Sequence, residues 1–351
     1  MIRDVLSYLY VNATVMAKEG KFISAGRWDD LWGCASPGEV ASLLEGTDYF
    51  PYLSEGAVHE AQALEKAILE EFSALGQEIS KIIPKGAWPI REYLLKKWDV
   101  INLRTALRGM HGGLQKEHFM DSFLEGGELN ITFFKTLLDA EGMDDFVALL
   151  TGTPYQVLSE GLARYHETHN LFFLESLLDK VFWEDLWTKV LKLRGIKEFR
   201  EFVEVCVETH NLKIILRAKS DGLLREDIDP FLIPECTIID ELLSTFDEED
   251  LPGLLPLLEE TPYFEPLVGA QHEYERTGSV VAFEEVLDSQ ALNKAQDIRR
   301  KKPFGPGPLI GFLVSKETEV KNLLAIVRST EVDLSRDEVR ESVMRKKWKL
   351  P

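Results

Sequence analysis

Along most of this chain apolar positions return every three or four residues, the period of a helix with one face turned inward. Ile90, Tyr93, Leu94, Ile101, Leu103 and Leu107 form such a series. Pro89 stands where a first helical turn tolerates it, and Gly112-Gly113 where a helix stops, so one helix is predicted between them. Strand-like alternation bounded by Asn-Gly or Asp-Gly turns is nearly absent. The predicted fold class is all-α.

The pattern also repeats at long range. Asn-Leu-x-x-x-(Leu/Val)-Arg occurs at Asn102–Arg108, Asn211–Arg217 and Asn322–Arg328, each with an acid three residues earlier: Asp99, Glu208 and Glu319. Ordinary residue usage would produce this pattern only about 0.01 times in such a chain. Leu-Leu-x-x-Thr-x-Tyr keeps nearly the same period, at Leu43–Tyr49, Leu149–Tyr155 and Leu257–Tyr263. Pro154 and Pro262 fill its middle position, which predicts Thr as an N-cap and Pro opening a helix. Between these landmarks, Leu174-Glu175 and Leu178-Asp179 recur as Phe283-Glu284 and Leu287-Asp288, with a weaker version around Leu64-Glu65. Three landmarks in one order predict three homologous units, 1–127, 128–234 and 235–351, each of five or six helices. Like domains joined head to tail form an arc or a nearly closed ring, a shape that suits a socket or funnel. Glu-Thr-His-Asn-Leu at 167–171 and 208–212 is outside this period and is read as coincidence.

Within the Asn-Leu…Arg helices, Leu103 and Leu107, Leu212 and Leu216, and Leu323 and Val327 each share a face, which assigns them to the core. Arg108, Arg217 and Arg328 fall near helix ends, where a cation offsets the macrodipole by about 0.3–1 kcal/mol. Asn102, Asn211 and Asn322 are expected to bond a neighbouring loop, since an unpaired buried amide costs about 1–3 kcal/mol. These six residues are read as architecture, with direct contact to a partner protein as the lesser alternative.

Charge narrows the function. The chain has 40 Lys/Arg and 60 Asp/Glu, a net −20 that argues against nucleic-acid binding. It is unevenly spread: residues 294–351 hold 14 basic and 8 acidic residues. Cys34, Cys206 and Cys236 are odd in number and in no metal-like spacing, which suggests a reducing compartment. The uncharged stretch Val5–Ala17 carries Ser7, Tyr8, Tyr10, Asn12 and Thr14, and is read as a retained helix rather than a signal peptide. Nothing approaches the roughly 20 apolar residues of a membrane span, so work at a membrane would require docking through partners.

Candidate chemistry is thin. Phe304–Gly311 lacks the Walker spacing and is read as a turn into the last repeated helix, so ATP binding is not expected. His166 and His169 are three apart, not the four of a helical zinc motif, and no third ligand stands out. Asp247–Asp250, Asp29-Asp30 and Asp144-Asp145 lack the paired Asp clusters of a magnesium-dependent isoprenoid-diphosphate synthase. They are read as acids at helix starts. The basic end Arg345–Lys349 is read as a solvated last turn rather than a lipid contact. No catalytic, cofactor or metal residue is predicted.

At these residues the chain resembles the C subunit of archaeal and bacterial A/V-type ATP synthases, whose counterpart is the d subunit of the eukaryotic vacuolar ATPase. The resemblance rests on Tyr8–Ala13, the Thr-Pro-Tyr motif and the three Asn-Leu…Arg helices. It is most specific at Gly305-Pro-Gly-Pro-Leu309 followed by Glu319 to Arg328, and it runs from Tyr8 to about Met344. Two departures are Asp48 in place of the helix-opening Pro, and Leu324 where Arg104 and Lys213 stand. The resemblance implies three pseudo-symmetric helical domains of about 110 residues forming a funnel. It further implies a non-catalytic subunit on the cytoplasmic face of the membrane, with the central-shaft subunits and the membrane proteolipid ring as partners. The alternative expectation is a helical-repeat scaffold of another cytoplasmic assembly.

Overall fold

The segment that the three-to-four period marks most clearly forms a helix in the computed structural model, which describes residues 2–53, 60–113, 123–193 and 195–330. Sixteen α-helices and no strand occur among the described residues, so the all-α expectation holds. The stretches 1–127, 128–234 and 235–351 contain five, six and five of these helices. The helix predicted after Pro89 spans Trp88–His111 and stops at Gly113, whose φ of +62° suits a residue without Cβ.

Packing divides the chain into two compact units. The first gathers residues 1–98, 124–126 and 295–351, and the second gathers 99–123 and 127–294. In the first unit the Gly307–Ser329 helix packs on Ala61–Ile82 and on Ile2–Glu19. It is buried without a break from Gly307 to Glu317. A helix apolar on all sides belongs in a core, yet this one also carries Lys316, Glu317 and Glu319 inward. In the second unit Phe172–Lys192 packs against Lys197–Ser220, with Phe199, Phe202, Val203, Leu212 and Ile215 buried between them and their neighbours.

Turn chemistry repeats with the sequence. Thr47, Thr153 and Thr261 each donate a side-chain bond to the carbonyl three residues back, at 2.6, 2.7 and 2.7 Å. Each also accepts from the Tyr N–H two residues on. The capping expectation holds at Thr153, although Pro154 opens a 3-10 helix. At Thr261 it needs correction, because the α-helix starts only at Phe264 with Tyr263 in the cap position. The acids before these turns also divide. Asp250 caps Leu251–Leu254 by accepting from Gly253 N, and Asp144 and Asp145 occupy a first turn. Asp29 and Asp30 instead end the short Ala25–Leu31 helix, so a dipole reading fails there. Phe304, Gly305 and Pro306 turn the chain into the last long helix as expected, but Gly307–Gly311 already belong to that helix rather than to the turn. Arg345–Lys349 lies outside the described residues.

Candidate functional site at the repeat junctions

The Asn-Leu…Arg helices each carry a polar network, and the first two copies reach into the stretch of helices that follows. On Trp88–His111, Asp99 accepts from Glu128 N at 3.0 Å and Leu129 N at 3.1 Å. Gly127 makes this approach possible, since a Cβ there would lie 1.9 Å from Asp99 Oδ1. Asn102 is buried one turn on. At the helix end, Arg108 grips Glu175 through two bonds, Nε at 2.5 Å and Nη2 at 3.0 Å. One turn earlier Arg104 Nη2 donates to Asp179 Oδ1 at 2.6 Å. His111 Nδ1 sits 3.0 Å from the Tyr165 hydroxyl.

On Lys197–Ser220 the same positions do comparable work. Glu208 accepts from the Tyr263 hydroxyl at 2.5 Å. Asn211 is fully buried; its Nδ2 donates to Ile233 O at 2.9 Å and its Oδ1 accepts from Ile233 N at 2.8 Å. That pairing satisfies both backbone groups of one residue with one side chain. Arg217 bonds Glu284 through Nε at 2.7 Å and lies 5.0 Å over the Phe172 ring. Lys213 pairs with Asp288.

The third copy, on Gly307–Ser329, is within the first unit. Glu319 accepts from Ile23 N and from the Tyr49 hydroxyl, both at 2.8 Å. Lys316 Nζ stands 3.1 Å from both Glu319 Oε1 and Glu71 Oε2 and 4.2 Å from the Tyr49 ring centre. Asn322 is buried. Arg328 grips Glu65 at 2.7 and 3.1 Å. Glu317 is also engaged, accepting from the Tyr93 hydroxyl at 2.5 Å and from Lys97 at 2.9 Å.

Electrostatics follow from this burial. Burial favours the protonated form of Asp179, but the Arg104 guanidinium, helped by His210 and Lys213, outweighs it and holds the carboxyl below its usual range. Burial raises Glu71 despite Lys316, and raises Glu208 despite the bond from Tyr263. Tyr49, Tyr155 and Tyr263 are pushed up, first by burial and then by the acids beside them. The Tyr49 and Tyr263 hydroxyls remain donors, which suits their bonds to Glu319 and Glu208. His210, buried, donates from Nε2 to Phe231 O and is shifted down by desolvation.

Elsewhere the weighed motifs stay apart. His166 pairs with Asp144 at 2.9 Å, and His169 takes a left-handed cap conformation at φ 52°. No group of three or more His, Cys, Asp or Glu that could hold a metal ion is found among the described residues. No helix among them is long and apolar enough to cross a membrane. Cys34, Cys206 and Cys236 are free thiols.

The fold and these junctions define an all-helical protein whose repeated polar motif joins one stretch of helices to the next. The chain belongs to the ATP synthase (C/AC39) subunit family, whose model matches residues 11–342. It is 35% identical over 351 residues to the A-type ATP synthase C subunit of Methanocaldococcus jannaschii, covering 97% of this chain and 87% of the relative. The C subunit of the Methanothermobacter thermautotrophicus A-type ATP synthase is 35% identical over 334 residues, covering 93% and 85%. That of Thermococcus onnurineus is 26% identical over 338 residues, covering 96% and 90%.

Proposed function

We propose that this chain is a non-catalytic central-stalk subunit of an A/V-type rotary ATPase, peripheral to the cytoplasmic face of the membrane. It receives the rotating shaft and couples it to the membrane proteolipid ring. ATP turnover and ion passage belong to other subunits. The supporting observation is the family match over 11–342 together with the junctions themselves. A coupling element must transmit torque without yielding, and close-packed helices cross-linked by fixed polar bonds deform little. On this reading the three units 1–127, 128–234 and 235–351 are the mechanical modules. Asn102, Arg108, Asn211, Arg217, Asn322 and Arg328 are then the joints between them rather than a partner-binding site.

The test is to tag the chain in its own organism, solubilise membranes gently and identify captured proteins by mass spectrometry. Shaft subunits, nucleotide-binding subunits and a small proteolipid should co-purify, with ATPase activity in the eluate. Capture of a soluble complex without them would sink the assignment and favour a scaffold of another assembly.

A further inference from the structure

The Ile2–Glu19 helix is packed on one side only. Tyr8, Val11, Asn12 and Val15 are buried, while Leu6, Leu9, Tyr10, Ala13, Met16 and Ala17 recur at three- and four-residue steps on the opposite, exposed face. The large side chains of that face, Leu6, Leu9, Tyr10 and Met16, are between 51% and 70% exposed. No charge occurs from Val5 to Ala17, and the two charges that follow are engaged: Lys18 with Glu78 at 2.8 Å, Glu19 with Arg299 at 2.7 Å. Singly exposed apolar residues are ordinary, but a contiguous uncharged helical stripe is uncommon on a surface that meets only water.

What covers it is indicated by the turn beside it. Arg299 ties the end of the Val281–Lys301 helix to Glu19, and Asn12 Nδ2 donates to Gly305 O at 3.0 Å. The intervening turn Arg300–Phe304 is therefore pinned along this helix. It presents exposed Arg300, Lys301 and Lys302, with Asp297 the acid that faces Arg300 and Lys301, and it ends in Phe304 at 67% exposed. In a chain of net −20 this corner is locally cationic. An apolar helical face, a protruding aromatic and a cluster of cations are complementary to the headgroup region of an anionic bilayer.

We propose that the outer face of the Ile2–Glu19 helix and the Arg300–Phe304 turn dock directly on an anionic lipid surface. This deepens the membrane placement of the proposed function, on which its biological sense rests, by adding a lipid contact to docking through partner subunits. Leu9, Tyr10, Met16 and Phe304 enter the headgroup boundary, while Arg300, Lys301 and Lys302 supply attraction of roughly fivefold per cation.

The test uses the purified full chain with vesicles of phosphatidylcholine alone or mixed with phosphatidylglycerol, read by flotation at low and raised salt. Salt-sensitive binding to the mixed vesicles only is expected. The double variant Leu9→Glu with Met16→Glu should weaken it at least tenfold, and Arg300→Glu with Lys301→Glu also by about tenfold or more. Circular dichroism must show unchanged helix content in both. A third variant, Lys346→Glu with Lys347→Glu, should bind as wild type. Absent binding, binding lost only in that third variant, or binding unaffected by the first two would overturn the proposal. So would wild-type vesicle binding by Leu9→Glu with Met16→Glu alongside lost capture of ATPase subunits, which would make the face a protein contact. Failure here leaves the capture experiment with wild-type chain untouched, so the two readings fail separately.

Discussion

The junctions of the second unit and the junction of the first use one motif in two ways. In the second unit each helix end presents two cations to two acids a turn apart: Arg104 and Arg108 to Asp179 and Glu175, Lys213 and Arg217 to Asp288 and Glu284. In the first unit only the outer pair survives, Arg328 with Glu65. The register it sets puts Leu324 and Leu69 in the places of the inner pair. Charge appears inside instead, where Lys316 lies between Glu71 and Glu319 with all three buried. The difference is one of consequence. Partly exposed pairs contribute about 0.2–1 kcal/mol each, whereas breaking a buried ionic group strands a charge at about 3–5 kcal/mol.

The largest effect should therefore come from the buried group. Lys316→Met leaves Glu71 and Glu319 without their shared cation and should destabilise the chain by about 3–5 kcal/mol in denaturant titration. In the second unit the costly residue is the buried amide. Asn211→Ala orphans the Ile233 N–H and C=O and should cost about 1–3 kcal/mol, and Asn211→Asp should not recover it, because a carboxylate cannot donate to Ile233 O. Gly127→Ala, which drives a Cβ into the Asp99 carboxylate, should cost about 1–3 kcal/mol by the same measurement.

The smallest effects sharpen the contrast. Arg104→Leu with Asp179→Leu copies the apolar pair of the first unit and should lie within about 1 kcal/mol of wild type, while Arg104→Leu alone costs more by leaving Asp179 unpaired. Acid should distinguish the two regions as well. Because the Asp179 carboxyl is held below its usual range, its contribution is present above about pH 4 and is lost as pH falls through the lowered value. Asp179→Asn should thus be less stable than wild type at neutral pH, with the deficit shrinking in acid.

Much of this was legible beforehand. The helical period gave the fold class, and the recurrence of Asn102, Asn211 and Asn322 marked three buried amides, of which Asn211 bonds a neighbouring loop as expected. Periodicity placed Arg108, Arg217 and Arg328 at helix ends but not their partners, since a helix wheel is silent about what lies across it. Yet the partners were in view: Glu175 and Glu284 recur 109 residues apart, the spacing of Arg108 and Arg217. Two landmarks moving with one period are candidates for contact. The Lys316 group was only half legible: Glu319 keeps the repeat three residues before Asn322, but Glu71 comes from the distant Ala61–Ile82 helix and shares no repeat. Asp29 and Asp30 misled because a short helix has its end within two turns of its start.

The central claim is that the Asn-Leu…Arg helices are joints, and reversing one pair tests it directly. Arg217→Glu and Glu284→Arg should each lower stability and weaken capture of the ATPase subunits, and the two together should restore much of both. Unchanged stability with capture lost in Arg217→Glu, and not regained in the swap, would make Arg217 a partner contact and contradict the account.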